Sequence, residues 1–365
     1  MRQRTARIEK LEVGAYRIRT DFPESDGTLE WDSTTLVVVE ADAAGLRGVG
    51  YTYADDATAH LIAERLSGVV KGRDAMDITE TWSAMISSVR NLGRPGVSSM
   101  AIAAVDIALW DLKARILDLP LADLLGKARQ SIPVYGSGGF TSYDEKRLRA
   151  QLAGWVEQGI ARVKMKVGRE PDADGARVRA ARAAIGADAE IFVDANGAYH
   201  RKQALALARE FRDWDVTWFE EPVSSDDLEG LRLIRDRAPA GMDIAAGEYG
   251  YSLSYFEQML QAGAVDVLQA DASRCGGVSG FMKVAALCEA RSLPLSAHCC
   301  PALHLHLCCA ARPAVHLEYF HDHVRIEQML FDAVQIPHEG VLHPDLTRPG
   351  MGIEFKKSDA ARYAL

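Results

Sequence analysis

The sequence predicts an α/β fold in which a parallel barrel of the (β/α)₈ type follows a smaller N-terminal region built around an antiparallel meander. Three observations carry this. Strand-like segments alternate up to about residue 53, and from residue 132 short apolar strands alternate with amphipathic helices. Ionisable side chains then stand at the end of nearly every strand of that second part.

Length and composition agree with such a chain. Its 365 residues, divided by about 150 per domain, allow one large or two ordinary domains. Hydrophobic residues make up 48% and charged residues 25%, the balance of a globular protein rather than a disordered, collagenous or membrane chain. Lys+Arg number 42 and Asp+Glu 51, a formal net charge of −9. With a pI of 5.6 and no Lys/Arg run, nucleic acid is not an expected partner, although a local basic pocket for a small anion is compatible. Met1 to Lys10 alternates charged and apolar residues, unlike a secretory signal, and no run of 18 apolar residues exists to span a membrane. All six cysteines fall after residue 270, unlike a disulfide framework, so a reduced, cytoplasmic protein is expected.

Taken in order, Thr34-Thr-Leu-Val-Val-Val-Glu40, a turn at Ala43-Ala-Gly45 and Gly48-Val-Gly-Tyr-Thr-Tyr53 read as a meander. Asp21-Phe-Pro-Glu-Ser-Asp-Gly27 reads as a polar, turn-rich loop between its first two strands. Three helical segments come next; in the clearest, Ser99 to Leu117, residues Ile102, Val105, Leu109, Leu112 and Ile116 mark one packing face. The barrel strands read as 134–138, 162–167, 190–194, 217–221, 243–248, 265–271, 294–298 and 315–318. The helix after the first has a capping box at Ser142/Glu145 and a terminating Gly159, and Ser254/Glu257 with Gly263 repeats that grammar. No strong helix is expected directly after the eighth strand, and the tail through Glu339-Gly-Val-Leu342 and Arg348 to Phe355 is expected to return to the N-terminal region.

The strand ends carry Lys164 and Lys166, Asp194, Glu220, Glu248, Asp271, His298 and Glu318. From Lys166 onward they are separated by 28, 26, 28, 23, 27 and 20 residues, about one strand-plus-helix unit each. Such side chains converge on one rim. Buried charge is costly unless paired or bound to metal, so a ring of charges needs a reason. Any one carboxylate reads as a cap or an ion-pair residue. Jointly, Asp194, Glu220 and Glu248 make an all-oxygen site of charge −3 suited to a hard cation such as Mg²⁺ and not to zinc. Lys164 and Lys166, two apart on one strand, share a face; beside a cation and a second ammonium, a lysine's pKa should fall until it can act as a base. His298 with Asp271 makes a second base, and Glu318, if protonated, can donate a hydrogen bond to an anionic intermediate.

These residues resemble the mandelate racemase subgroup of the enolase superfamily. The matching pieces are Lys164-Met-Lys166, Val193-Asp-Ala-Asn196, Trp218-Phe-Glu-Glu-Pro222, Ala246-Gly-Glu248, Ala270-Asp-Ala-Ser-Arg-Cys-Gly-Gly-Val278, Ser296-Ala-His298 and His316-Leu-Glu318. Ala103-Ala-Val-Asp-Ile-Ala-Leu-Trp-Asp-Leu-Lys113, with Pro120-Leu-Ala-Asp-Leu-Leu-Gly126 after it, looks like the family's capping-domain helix. The resemblance implies a (β/α)₇β barrel under an α+β cap formed by both termini: cap 1–131, barrel 132–323 and a returning segment 324–365. It implies Mg²⁺ on Asp194, Glu220 and Glu248, holding a substrate carboxylate. Lys164 would add positive charge, Lys166 would be the base on one face of the α-carbon, and His298, paired with Asp271, acid or base on the other. Glu318 would hydrogen-bond the enediolate and Asn196 would touch substrate. A further substrate contact is expected from the first barrel strand, at Tyr135-Gly136. Strand alternation leaves Glu220 and Glu221 open as the inward residue; the family pattern favours Glu220. The muconate-cycloisomerase-like subgroup has lysine at the end of the sixth strand, where this chain has Asp271.

The resemblance implies removal of a proton α to a carboxylate. Dehydration of an acid sugar to a 2-keto-3-deoxy acid is the expected outcome, because the loop from Asp21 to Glu30 is polar and fits hydroxyls better than a bare aromatic ring. A racemase or epimerase using Lys166 and His298 on opposite faces is the alternative, and a homo-oligomer is the expected assembly. A remote alternative is a non-catalytic metal-binding protein built on Cys299-Cys-Pro-Ala-Leu-His-Leu-His-Leu-Cys-Cys309.

Overall fold

The computed structural model describes residues 6–365; the alternating pattern read over Met1 to Thr5 lies outside them. Strands β1 (Ile8–Ser25), β2 (Glu30–Ala43) and β3 (Leu46–Tyr53) form the antiparallel meander. The expected polar loop is shorter than its sequence implies. Glu24 and Ser25 still pair with Trp31 and Glu30, so only residues 26–29 turn. Asp26 holds that turn by accepting the backbone N–H of Thr28 at 2.6 Å and of Leu29 at 2.7 Å.

The helix Val97–Ile116 lies on this sheet at backbone distance. A Cβ at Gly48 would stand 2.3 Å from the Ala108 carbonyl, and one at Gly50 would stand 2.2 Å from that of Ala104. Only glycine on the sheet and alanine on the helix permit that approach. The opposite side of the same helix meets the barrel, where Asp106 accepts from Ser279 Oγ at 2.7 Å and Trp110 donates to it at 2.9 Å. The single packing face predicted for this helix is therefore incomplete: it is buried nearly all round, and alanines between the larger apolar residues form the second face.

Eight parallel strands come after it: β4 (Ile132–Gly138), β5 (Arg162–Lys166), β6 (Glu190–Asp194), β7 (Val216–Glu220), β8 (Asp243–Ala246), β9 (Val267–Ala270), β10 (Leu295–Ala297) and β11 (Ala314–Phe320). Pairing of β11 with β4, Glu318 opposite Tyr135, closes the barrel. Side-chain alternation sorts the residues. Val163, Met165, Ile191, Val193 and Phe219 face the surrounding helices in the main core. Tyr135, Phe192, Trp218, Ala245 and Val267 fill the interior, with Phe192 stacked on Trp218 at 5.2 Å. Asp194 and Glu220, two residues beyond Phe192 and Trp218, repeat the inward direction one layer higher.

Two expectations about helices are corrected. The first barrel helix, Glu145–Glu157, is capped by Asp144, which accepts from the Arg147 N–H at 2.8 Å, while Ser142 donates to the Pro23 carbonyl. The helix Leu253–Ala262 is capped by Ser252 rather than Ser254. Secondly, a helix does follow β11 at once, His321–Leu330. Its inner face is Asp322, His323, Ile326, Glu327 and Leu330, helically spaced but mostly polar, so the apolar period is hidden. Those polar groups tie barrel to cap: Thr34 donates to Asp322 at 2.5 Å and Tyr51 to Glu327 at 2.7 Å. The tail pairs Val341–Leu342 with β4 and ends with the Leu365 N–H on the Ala15 carbonyl at 3.0 Å. Among the described residues no helix is long and apolar enough to cross a membrane.

Candidate active site

All of the strand-end residues except the first-strand position meet at the C-terminal mouth of the barrel. Lys164, Asp194 and Glu220 are completely buried, and Lys166, Glu248, Asp271, His298 and Glu318 nearly so. The chain bends sharply just beyond the strands: Asn196, Glu221, Cys299 and Cys300 all take left-handed backbone angles, with φ of +46°, +37°, +52° and +44°. Strained residues gathered at one rim mark a functional site.

Asp194, Glu220 and Glu248 each present an oxygen within 4.8 Å of the others. Lys166 Nζ is 2.5 Å from Asp194 and donates to Asn196 Oδ1 at 3.1 Å. Lys164 Nζ lies 2.6 Å from Glu220 and 2.9 Å from Glu318, and Trp218 Nε1 donates to the other Glu220 oxygen at 2.9 Å. Burial, and then Asp194 beside it, push the Glu220 carboxyl well above the carboxylate range. Glu221 is buried too, pushed up by burial and by Glu248, and its Oε1 has no partner. Glu248 Oε2 likewise has no hydrogen-bond donor, although His298 Nε2 approaches to 3.2 Å. Three converging, buried carboxylates, one of them with an unpartnered oxygen at Glu248 Oε2, make an all-oxygen set that fits a hard divalent cation, Mg²⁺. The expectation for the metal set therefore meets a suitable donor geometry.

Two electrostatic expectations are corrected. Burial lowers the pKa of Lys166, but Asp194 at 2.5 Å outweighs it and holds the ammonium above its ordinary value. The expected fall requires a cation to offset the Asp194 charge; the neighbouring ammonium of Lys164 is too weak by itself. The surroundings of Glu318 oppose the protonated form expected of it. Burial raises its pKa, but Lys164 and His298 override this and hold it well below the carboxylate range. Both its oxygens accept, Oε1 from Ser137 at 2.5 Å and Oε2 from the Cys299 N–H at 2.9 Å.

His298 donates Nδ1–H to Asp271 Oδ2 at 2.9 Å. Burial would raise the Asp271 carboxyl, but this bond, the His298 charge and Arg274 hold it below the carboxylate range. The first-strand substrate contact is not there. Tyr135 is fully buried against Phe192 at 5.4 Å, a layer beneath the carboxylates, and Gly136 faces outward onto Trp155. Strand alternation sends those two positions to the interior floor and the helix side.

A cavity of about 210 Å³ opens above Lys166, Asn196, Glu248, His298 and Glu318. Its cap wall is Asp26, Leu29, Trp31 and Thr34, mixed rather than wholly polar, and its barrel wall includes Tyr249, Arg274, Cys299 and His323. Reading strand ends missed these residues, since none terminates a strand. Arg274 had a signal: three residues after Asp271, it comes within 3.6 Å of that carboxylate and 3.7 Å of Glu248. The Cys299 to Cys309 run does not form one cluster. His304 and His306 accept the N–H groups of Ala272 and Ala122, and burial pushes Cys309 up to about 11.

A family model for an enolase C-terminal domain-like region matches residues 147–360, and one for the mandelate racemase / muconate lactonizing enzyme N-terminal domain matches residues 19–126. The chain is 33% identical to a 3,6-anhydro-alpha-L-galactonate cycloisomerase of Streptomyces coelicolor, over 98% of this chain and 99% of that one. It is 35% identical to the L-talarate/galactarate dehydratase of Salmonella typhimurium, over 86% and 81% of the two chains. A crystal structure of that dehydratase with Mg and L-lyxarohydroxamate superposes with a TM-score of 0.90 at 29% identity, covering 99% of this chain and 94% of that one. A mandelate racemase/muconate lactonizing enzyme-like protein from Rubrobacter xylanophilus superposes with a TM-score of 0.96 at 55% identity, covering 98% and 100%.

Proposed function

Because the chain belongs to the mandelate racemase/muconate lactonizing enzyme family with its enolase-like C-terminal domain, we propose that it removes the proton α to the carboxylate of an acid sugar and expels the β-hydroxyl, giving a 2-keto-3-deoxy acid. The observation that carries the reading is the placement of Lys166 and His298 on one cavity from strands three apart one way round the barrel and five the other. Groups so placed address opposite faces of a bound α-carbon.

Asp194, Glu220 and Glu248 would hold Mg²⁺, which would supply positive charge to offset the negative charge that develops when the α-proton leaves. Lys166 takes the α-proton at Nζ, and Asn196, which accepts from it at 3.1 Å, aims that nitrogen. His298 offers Nε2 to the leaving hydroxyl, since Asp271 occupies Nδ1. Lys164 offsets the charge of Glu220 and Glu318 beneath the substrate. The cap residues Asp26, Trp31 and Thr34 exclude water and meet the hydroxyls. The curated relative named as a dehydratase of talarate and galactarate supports an acid sugar. Six free, buried thiols accord with a reducing, cytoplasmic setting.

A second reading keeps the same two groups: Lys166 and His298 exchange a proton across the α-carbon without elimination, as a racemase or epimerase. It is favoured by the same opposed placement, and the relative named as a cycloisomerase supports an outcome other than elimination of water. Incubating the protein and Mg²⁺ with an acid-sugar library in deuterated water separates the two readings by NMR. Keto acid supports dehydration; α-deuterium without keto acid, on any carboxylate, overturns it in favour of the second reading.

A further inference from the structure

One wall of the cavity brings together three different ligand types, the imidazole of His298, the thiol of Cys299 and the carboxylate of Glu318. His298 Nε2 is 3.3 Å from Cys299 Sγ, Cys299 Sγ is 3.5 Å from Glu318 Oε2, and His298 Nε2 is 3.8 Å from Glu318 Oε2. A tetrahedral zinc ion, with bonds of about 2.0–2.1 Å to nitrogen, about 2.3 Å to sulfur and about 2.0–2.2 Å to oxygen, sets its ligand atoms about 3.3–3.6 Å apart. The triangle already has nearly those edges. Behind it, Asp271 holds Nδ1 of His298, the carboxylate–histidine arrangement that turns the other ring nitrogen toward a metal. The left-handed turn at Cys299 and Cys300 folds the first thiol toward His298 and places the second beside Ser273 and His323.

We infer that His298, Cys299 and Glu318 form a second metal site, for Zn²⁺ or another thiophilic divalent cation, with its fourth position open to the cavity. The all-oxygen set suits Mg²⁺, whereas a nitrogen, sulfur and oxygen set prefers a softer ion, so the two sites sort their metals by ligand chemistry. Binding forms a zinc–sulfur bond and releases the Cys299 thiol proton to solvent. The sites share a border, because Glu248 Oε2 lies 3.2 Å from His298 Nε2. Occupancy withdraws His298 Nε2 and Glu318 Oε2 from substrate, which makes zinc an inhibitor and not a substitute for Mg²⁺. That consequence rests on the role proposed for His298; the metal site itself does not.

The test uses the full-length protein saturated with Mg²⁺ and titrated with Co²⁺. One equivalent should produce a near-ultraviolet thiolate-to-cobalt charge-transfer band that Zn²⁺ abolishes. Cys299→Ser and Cys299→Ala should lose the band while keeping the circular dichroism of the folded chain. No band in the wild type, or an undiminished band in both variants, overturns the site. In turnover assays saturating Zn²⁺ should slow the wild type by about 100-fold or more, the scale of a lost acid–base group. In each Cys299 variant the ratio of rates with and without zinc should move toward one. Cobalt bound through Cys299 with turnover untouched by zinc would uphold the metal site and overturn the role given to His298.

Discussion

His298 and Asp271, the side chains at the ends of β10 and β9, are joined by a 2.9 Å hydrogen bond from Nδ1–H to Oδ2, and both face the mouth of the barrel. The bond fixes the ring so that Nε2 faces the cavity. Asp271→Asn should leave the fold intact and lower turnover by about 10²–10⁴-fold, because an amide holds neither the tautomer nor the imidazolium. Steady-state kcat measures it; a loss below tenfold would mean that Asp271 only supports structure.

Lys166→Ala should abolish both keto-acid formation and α-proton exchange, whereas His298→Asn should abolish elimination. A lysine-to-alanine variant that still exchanges the α-proton into deuterated water near the wild-type rate would reassign the base. The partner at 2.5 Å, Asp194, makes metal loading a prerequisite, since Asp194 otherwise keeps the ammonium protonated.

Removing Mg²⁺ by chelation should abolish turnover and lower the melting temperature, since a ligand at 100 times its Kd adds about 2.7 kcal/mol of stability. Glu220→Gln and Glu248→Gln should lose that metal-dependent increment in calorimetry. An increment retained in both variants would remove these residues from the metal set.

Glu327 gives a pH dependence remote from the site. Burial pushes its carboxyl from 4.5 up to about 8, where it bonds Tyr51 and the Ala302 N–H. The folded chain therefore binds one more proton than the unfolded chain between those values. That stability is present below the unfolded pKa and is lost as pH rises toward 8, at up to about 1.4 kcal/mol per pH unit. Glu327→Gln, a neutral mimic, should flatten this part of the denaturation profile; an unchanged slope would show that Glu327 does not titrate there.

Gly50→Ala should destabilise by about 1–3 kcal/mol, the range for overpacking, because its Cβ would stand 2.2 Å from the Ala104 carbonyl and the helix must shift. Chemical denaturation with an unchanged midpoint would contradict the close packing of sheet and helix.

Periodicity and the strand–helix alternation sufficed to place all eight barrel strands, and the spacing of one charged residue per unit sufficed to assemble Asp194, Glu220, Glu248, Lys166 and His298. Both are local signals repeated along the chain: a strand of period two points every second residue inward, although alternation alone leaves Glu220 and Glu221 open and the family resemblance is what favours Glu220. What only the tertiary structure decided depends on contacts between distant segments. The helix His321–Leu330 hides its period because its inner face is polar and satisfied by Thr34 and Tyr51 from the cap. The Glu318 carboxyl is held low because Lys164 reaches it from another strand at 2.9 Å. Tyr135 lies in the floor because closure of β11 onto β4 sets its height in the barrel. Cys299 reads as one cysteine in a buried run until a left-handed turn brings its sulfur beside His298 and Glu318. Ligand type is written in the sequence; the distances that turn ligand types into a site arise only when the barrel closes.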